Sequence, residues 1–272
     1  MNHVIQGKYE IQNILGKGKF GTVCKGTIKK NNQFIAIKLE PKQNSISTLR
    51  HEAAVLRYLN SKRVVQIPEL YYYGTQQPYY YLIMTYYPEY SLDKYELEAD
   101  DIHEWWLQSC SILRAVHDQG IIHRDIKPSH FMKSMKGNDV QWNLIDFGLA
   151  TTNLDDQHEH VKESQNTNLI GSPNWISLYI HQGIQPSRRD DYISIVYILI
   201  DLYLQMEGKN LPWLDVDINR IYDYKHWDCL KQNTIVSPSL FEEKEFIDKL
   251  IFVCERLQYG EKPPYDAVWL NL

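Results

Sequence analysis

The sequence predicts an α+β fold in two unequal parts: a small antiparallel β-sheet carrying one main helix, then a larger and mostly helical part. Three observations predict it. Up to about Tyr87 the apolar residues fall in short β-branched runs separated by Gly or by Asn-Asn. Within that region only Ser47 to Leu59 switches to helical spacing. After Pro88 the apolar residues recur at helical intervals. A length of 272 residues suits one large domain or two small ones, and suffices to bury a core without staples.

The elements follow in order. Tyr9–Leu15, Thr22–Ile28 and Gln33–Leu39 read as strands, with Asn31-Asn32 as a hairpin turn. Leu49, Ala53, Leu56 and Leu59 share one face of the helix. Leu70–Tyr73 and Tyr79–Thr85 read as a strand pair, with Gly74 and Pro78 in the connection. Asp100 or Asp101 is expected to cap a helix whose face is Ile102, Trp105, Ile112, Leu113 and Val116, closed by Gly120. Asp191 to Met206 and Glu243 to Leu257 are further helices. Thr151 to Ser172 lacks periodicity, and a loop of that length inside a compact domain is usually functional.

Composition narrows the classes. Hydrophobic residues are 43% and charged residues 23%, which argues against disordered and fibrous chains. A net charge of -5 gives no bulk basic surface, so nucleic acid is not an expected partner. Cys24, Cys110, Cys229 and Cys254 are scattered without metal-binding spacing and read as reduced thiols. The first ten residues show no apolar signal core, and the apolar run from Tyr192 to Ile200 is too short for a bilayer. These features suggest a cytoplasmic protein without a membrane partner, the nucleus remaining open, and a monomer is expected.

Four separated motifs converge on one chemistry. Gly16-Lys17-Gly18-Lys19-Phe20-Gly21 lies between two strands, where glycines let backbone approach phosphate oxygens. Alone it is a weak signal that reads first as a plain hairpin turn; a Rossmann loop is disfavoured because a strand follows. Ile35-Ala36-Ile37-Lys38 is an apolar strand ending in a lysine, and Glu52 follows on the helix. A lysine held by a carboxylate can grip nucleotide phosphates, whereas a solvated strand-end lysine is the plain alternative. His123-Arg124-Asp125-Ile126-Lys127-Pro128-Ser129-His130 is the most specific of the four. Asp125 is placed to accept a proton from a substrate hydroxyl, and Lys127 to offset charge on a phosphoryl group. Asp146-Phe147-Gly148 follows a short apolar run and suits a Mg²⁺ ligand in a glycine turn.

Taken in this order, the motifs resemble a eukaryotic protein kinase over essentially the whole chain. Further segments are similar to the casein kinase 1 family: Gly171-Ser172-Pro173-Asn174-Trp175, Gln185-Pro186-Ser187-Arg188-Arg189-Asp190-Asp191, Asn210-Leu211-Pro212-Trp213 and Lys262-Pro263-Pro264-Tyr265. Ser177-Leu178-Tyr179 stands where most kinases have Ala-Pro-Glu, which that family also lacks, and His158 and His160 match its His-x-His pair. The resemblance implies a bilobal kinase-like fold, with an N-lobe over about residues 9–84, a hinge at 85–90 and a C-lobe at 91–272. It implies ATP and Mg²⁺ as cofactors, and protein Ser or Thr as acceptor, because Lys127 matches serine/threonine kinases. A small-molecule phosphotransferase shares the His-x-Asp loop, but Lys127 and Gly18-Lys19-Phe20-Gly21 argue against it.

Roles carry over by position. The resemblance puts Leu15, Gly16, Gly18, Phe20 and Gly21 around ATP, with Val23, Ala36 and Met132 sandwiching its base. Lys38 binds the phosphates and pairs with Glu52. Met84 matches the gatekeeper, and Thr85 to Tyr87 the segment that reads the adenine edge. Asp125 is the expected base, Lys127 the γ-phosphate contact and Asp146 the metal ligand. Asp191 is expected to anchor the catalytic-loop backbone, while His123 and Phe147 pack internally. Arg124 is a candidate receiver for a phosphate on Thr151, Thr152, Ser164 or Thr167.

Two departures matter. His130 stands where protein kinases place the Asn that ligates a second Mg²⁺, and imidazole suits softer ions than Mg²⁺ does. Three readings compete: slow transfer with one metal on Asp146, a shift towards Mn²⁺, or loss of transfer that leaves a nucleotide-binding pseudokinase. Asn174 stands where the family, which favours acidic or previously phosphorylated substrates, carries an arginine. Arg188 and Arg189 either serve that role or pair with Asp190 and Asp191. A weakened preference for primed substrates follows, which Asn174→Arg should reverse. Lys17 and Lys19 either aid phosphate binding or are solvated loop lysines.

Overall fold

The structure is a computed structural model that describes residues 4–18, 21–42, 48–166, 168–226, 230 and 241–266. Phe20, Lys19, Ser47, Thr167 and Cys229, each singled out in the sequence, lie outside the described residues. The chain forms two compact units. One takes the chain up to Tyr90 together with Met132–Leu149; the other takes Ser91–Phe131 and the chain from Ala150 onwards. The linear split at 85–90 therefore misses one stretch. Met132–Leu149 belongs with the first unit, to which Leu144 is tied by its N–H donated to the Gln66 carbonyl at 2.9 Å.

The first unit is built on a six-stranded antiparallel sheet in the order β1-β2-β3-β4-β6-β5. Its strands are β1 (Val4–Ile5), β2 (Tyr9–Lys17), β3 (Thr22–Ile28), β4 (Gln33–Pro41), β5 (Leu70–Gln76) and β6 (Tyr79–Thr85). Directly paired residues share a face in an antiparallel ladder, and alternation then sorts the side chains. Cys24, Ile35, Ile37, Tyr81 and Ile83 fall on one face, where they pack with Ile5 into an apolar cluster. Val23 pairs with Lys38, Ala36 with Met84, and Lys38 with Leu82, which places these residues on the other face. Gly74 does not form the β5–β6 connection; it lies inside β5, and Gln77-Pro78 turns the chain.

Helix α1 (Thr48–Ser61) buries the expected Leu49, Ala53, Leu56 and Leu59, and adds Val55 and Glu52. Strands β8 (Phe131–Lys136) and β9 (Asp139–Leu144) form a separate hairpin turned at Gly137.

The second unit is mostly helical. Helix α2 (Ala99–His117) starts one residue after an N-cap at Glu98, so Asp100 and Asp101 sit in its first turn and do not cap it. There their charge still complements the helix dipole. The helix stops at an Asp118 C-cap, and Gly120 turns the chain two residues later with φ +71°. Its tip leads into β7 (Ile121–Ile122), which pairs with β10 (Thr151–Thr152). Short helix α3 spans Leu178–His181 and short helix α5 spans Ile221–Tyr224.

Helix α4 (Arg188–Met206) is buried on every side from Arg189 to Leu204, the mark of a central core helix. It begins three residues earlier than the apolar pattern indicates because Ser187 and Asp190 form a capping box, worth about 1 kcal/mol. Helix α6 spans Phe241–Arg256. Among the described residues no helix is long and apolar enough to cross a membrane.

Candidate active site

In the first unit, the sheet face and α1 converge on Lys38. Its Nζ donates to Glu52 Oε1 at 2.7 Å and to Asp146 Oδ1 at 3.0 Å. Burial alone would strip its charge, but the two carboxylates outweigh that and raise its pKa above the ordinary lysine value. Glu52 on α1 is buried more deeply than Lys38, and Lys38 opposes the upward push of burial on its carboxyl.

Asp146 adopts φ +68°, a conformation that costs a non-glycine residue strain and is commonly retained at functional sites. Gly148 donates its N–H to the same Asp146 oxygen at 3.4 Å. The Asp146 side chain is 41% exposed, so a hard oxygen donor is presented outward from a buried ion pair.

The neighbouring glycines differ in kind. A Cβ at Gly21 would lie 2.0 Å from the Leu39 carbonyl oxygen, so β3 and β4 require glycine there. At Gly16 and Gly18 a Cβ would meet nothing within 4 Å among the described residues. The fold does not demand those two glycines, and the open space beside them fits a polyphosphate approaching backbone. Ala36 and its register partner Met84 are buried, Val23 and Met132 are half-buried, and Leu15 is exposed. Thr85 donates its N–H to the Glu69 carbonyl at 3.1 Å, and burial pushes the Tyr87 phenol up. Lys38, the apolar residues and the Asp146 oxygen together fit ATP and a divalent metal ion.

In the second unit, Asp125 is the centre. Ser172 Oγ donates to its Oδ1 at 2.7 Å and Lys127 Nζ to its Oδ2 at 2.9 Å. Lys127 also donates to Ser172 Oγ at 3.1 Å, closing a three-membered network. Burial raises the Asp125 carboxyl, yet His130 in its protonated form, Ser172 and Lys127 together bring it below the ordinary aspartate value. His130 Nδ1 donates to the Asp125 backbone carbonyl at 2.9 Å. With the proton on Nδ1, a neutral ring carries its lone pair on Nε2. His130 thus braces the Asp125 backbone but offers nitrogen in place of an oxygen, which does not fit a second Mg²⁺. Among the described residues no three His, Cys, Asp or Glu side chains form a ready-made metal cage.

Beneath this loop Asp191 meets expectation. Its Oδ2 accepts the His123 N–H at 2.6 Å and bonds His117 Nε2 at 3.0 Å, while Oδ1 accepts the Arg124 N–H at 2.8 Å. Burial raises its carboxyl, but those donors reverse the effect and hold it below the ordinary value. Arg124 is held at φ +67°, and a Cβ on Gly171 (φ +102°) would lie 2.5 Å from the Arg124 carbonyl oxygen. Gly171 therefore brings the Ser172 loop against the Asp125 loop. His123 and Phe147 are fully buried, as expected of packing residues.

The arginine pair resolves unequally. Arg189 lies 3.6 Å from Asp190 and stacks on Tyr179 at 3.5 Å, whereas Arg188 donates to the Gly260 carbonyl at 2.6 Å. His117 and Lys225 carry contacts that the motifs did not single out, and Ser172, quoted within a motif, bonds Asp125 in a role that the motif did not assign.

Residues 9–249 match the family described as protein kinase domain. The chain belongs to that family. It is also 27% identical over 281 aligned residues to casein kinase I homolog 2 of Schizosaccharomyces pombe, covering 96% of this chain. The chain spans 61% of the length of that relative. This likeness supports the casein kinase 1 resemblance read from the motifs.

Proposed function

We propose that the chain is an ATP-dependent serine/threonine protein kinase of casein kinase 1 type. The observation that carries this reading is the Asp125 carboxylate, ionised and oriented by Lys127 and Ser172. Asp125 accepts the hydrogen bond of a substrate Ser or Thr hydroxyl and takes its proton as transfer proceeds. Lys127 offsets negative charge on the transferred group from a position already fixed beside Asp125. Lys38, kept charged by Glu52, holds the α- and β-phosphates, and Asp146 holds the metal. When bound, ATP supplies the phosphoryl group and Mg²⁺ neutralises its phosphates. The protein's share is positioning and electrostatics.

His130 favours a second reading. A nitrogen ligand where an oxygen serves Mg²⁺ would leave a nucleotide-binding pseudokinase, or an enzyme that works better with Mn²⁺. The test is transfer of radiolabelled phosphate from ATP to dephosphorylated casein, in Mg²⁺ and in Mn²⁺. Wild type, His130→Asn and Asp146→Asn are run side by side. Transfer by wild type that Asp146→Asn abolishes supports the kinase. No transfer by wild type in either metal, with recovery in His130→Asn, supports the pseudokinase.

A further inference from the structure

We infer that Tyr265 is a positioning residue for phosphate transfer: its hydroxyl fixes the His117 ring, the ring fixes Asp191, and Asp191 holds the loop that presents Asp125. The inference rests on the kinase reading above and adds to it a residue that touches neither nucleotide nor acceptor.

Tyr265 ends the Lys262-Pro263-Pro264-Tyr265 segment, whose two prolines restrict the backbone that leads to it. Its N–H donates to the Pro263 carbonyl at 3.0 Å, which closes the turn. Charged contacts hold the segment on both sides. Lys262 Nζ donates to Asp118 Oδ1 at 2.7 Å, and Arg114 donates to Asp266. Arg114, His117 and Asp118 all lie at the C-terminal end of α2, so these pairs bring the phenol to His117. The Tyr265 ring is buried edge-on to Tyr192 of α4, with centroids 6.0 Å apart.

The donors and acceptors assign themselves. His117 Nε2 lies 3.0 Å from the Asp191 carboxylate, which only accepts, so the proton sits on Nε2. Nδ1 then carries a lone pair, and the Tyr265 hydroxyl bonded to it is the donor. Burial pushes the Tyr265 phenol up, so it keeps the proton that it donates. Each ring nitrogen has its own partner, and the ring cannot turn over without losing both.

The consequence reaches the catalytic loop through one oxygen. Asp191 Oδ2 accepts from His117 and also from the His123 N–H at 2.6 Å, while Oδ1 accepts the Arg124 N–H at 2.8 Å. A ring tied at both ends therefore fixes the rotation of this carboxylate, and with it the two residues that precede Asp125. Without the Tyr265 hydroxyl, Nδ1 is a buried acceptor that has lost its donor, a cost that movement of the ring relieves. The ring is then tied at one end only, and the loop inherits its freedom.

The test uses the purified chain and Tyr265→Phe, which keeps the ring and its packing and removes the hydroxyl alone. Transfer from ATP to dephosphorylated casein is expected to show kcat about ten-fold lower, with both KM values within about two-fold of wild type. Adding Tyr265→Phe to His117→Phe is expected to lower kcat no further, because the hydroxyl acts through that ring. A second readout needs no transfer. In chain labelled with ¹⁵N-histidine, the His117 signals, assigned by their absence from His117→Phe, should place the proton on Nε2. Exchange of that proton with solvent should quicken about ten-fold in Tyr265→Phe.

A wild-type spectrum with the proton on Nδ1 overturns the inference, and this measurement requires no variant to fold. So does a Tyr265→Phe kcat within about two-fold of wild type, which would leave the residue a packing role read only in the melting temperature. A loss that adds in full to that of His117→Phe overturns it too, since Tyr265 would then act by another route. No transfer by wild type would sink the kinase reading instead. The spectra would then decide the relay by themselves: quickened exchange in Tyr265→Phe upholds it, and unchanged exchange overturns it.

Discussion

The two units stabilise their buried functional charges by different means. In the first, Lys38 is set against two carboxylates, Glu52 and Asp146, and opposite formal charges provide the balance. In the second, the buried Asp191 carboxylate is satisfied by two backbone N–H groups and a histidine ring at the N-terminus of α4. The helix dipole there adds favourable potential for an anion. The first arrangement fails when one charge is removed. The second fails when an acceptor oxygen is removed.

Lys38→Met makes the sharpest break in this comparison. It leaves Glu52 buried and Asp146 beside it with no cation between them, a loss typically worth about 3–5 kcal/mol before Glu52 takes up a proton. Phosphate transfer to casein should fall at least about 100-fold, since the phosphate grip is lost as well. Lys38→Arg should not restore it, because a planar guanidinium cannot take the place of a compact ammonium. Transfer within a few-fold of wild type in Lys38→Met would show that the first unit's charge balance is not part of the machinery.

Asp191→Asn comes next. The amide keeps one acceptor oxygen and turns an NH₂ towards groups that themselves donate. Two donors on Oδ2 and one on Oδ1 cannot all be met. We expect a loss of about 3 kcal/mol, read as a fall in melting temperature of roughly 6–12 °C. Because the His123 and Arg124 backbone is released, kcat should fall while nucleotide affinity, set in the other unit, holds. A fall in nucleotide affinity with stability unchanged would contradict the division of labour.

The same contrast explains what was legible in the sequence. Strands β2 to β4 and β6, the face of α1 and the core of α4 follow from apolar periodicity, because one-sided burial imposes it. The catalytic loop and the Asp146 turn are legible because local chemistry requires those residue types at that spacing. The β8–β9 hairpin left a weak signal: Met132 to Met135 mixes apolar and polar residues, with burial at one end only.

Lys225 was unreadable for a different reason. A lysine ordinarily keeps its charge in water, and only tertiary packing turns this one onto two carbonyls. Gly74 misled because glycine marks turns more often than strand interiors, yet a Cβ there would overlap the Tyr72 side chain.

The smallest expected effect lies on α4 itself, where a second buried acid has fewer donors than Asp191. Asp201 accepts from Gln205 at 2.6 Å and from the Leu211 N–H at 3.4 Å, far from the helix N-terminus. Burial dominates, and its carboxyl is pushed up to about 6. An aspartate in the unfolded chain loses its proton near 4, so between about 4 and 6 the native state holds a proton that the unfolded state has released. Stability contributed at this site therefore falls as pH rises through that window, and the full penalty is present above about 6. Asp191, held below the ordinary value, acts in the opposite sense: its contribution is present near neutrality and is lost as the pH falls through its lowered pKa. Asp201→Asn removes the penalty and weakens one hydrogen bond. It should raise stability by about 1–2 kcal/mol at pH 7.5 and by almost nothing at pH 4. Denaturant titrations at the two pH values measure this difference. An equal change at both would mean that Asp201 is matched by donors as fully as Asp191, and that position along the helix does not separate the two acids.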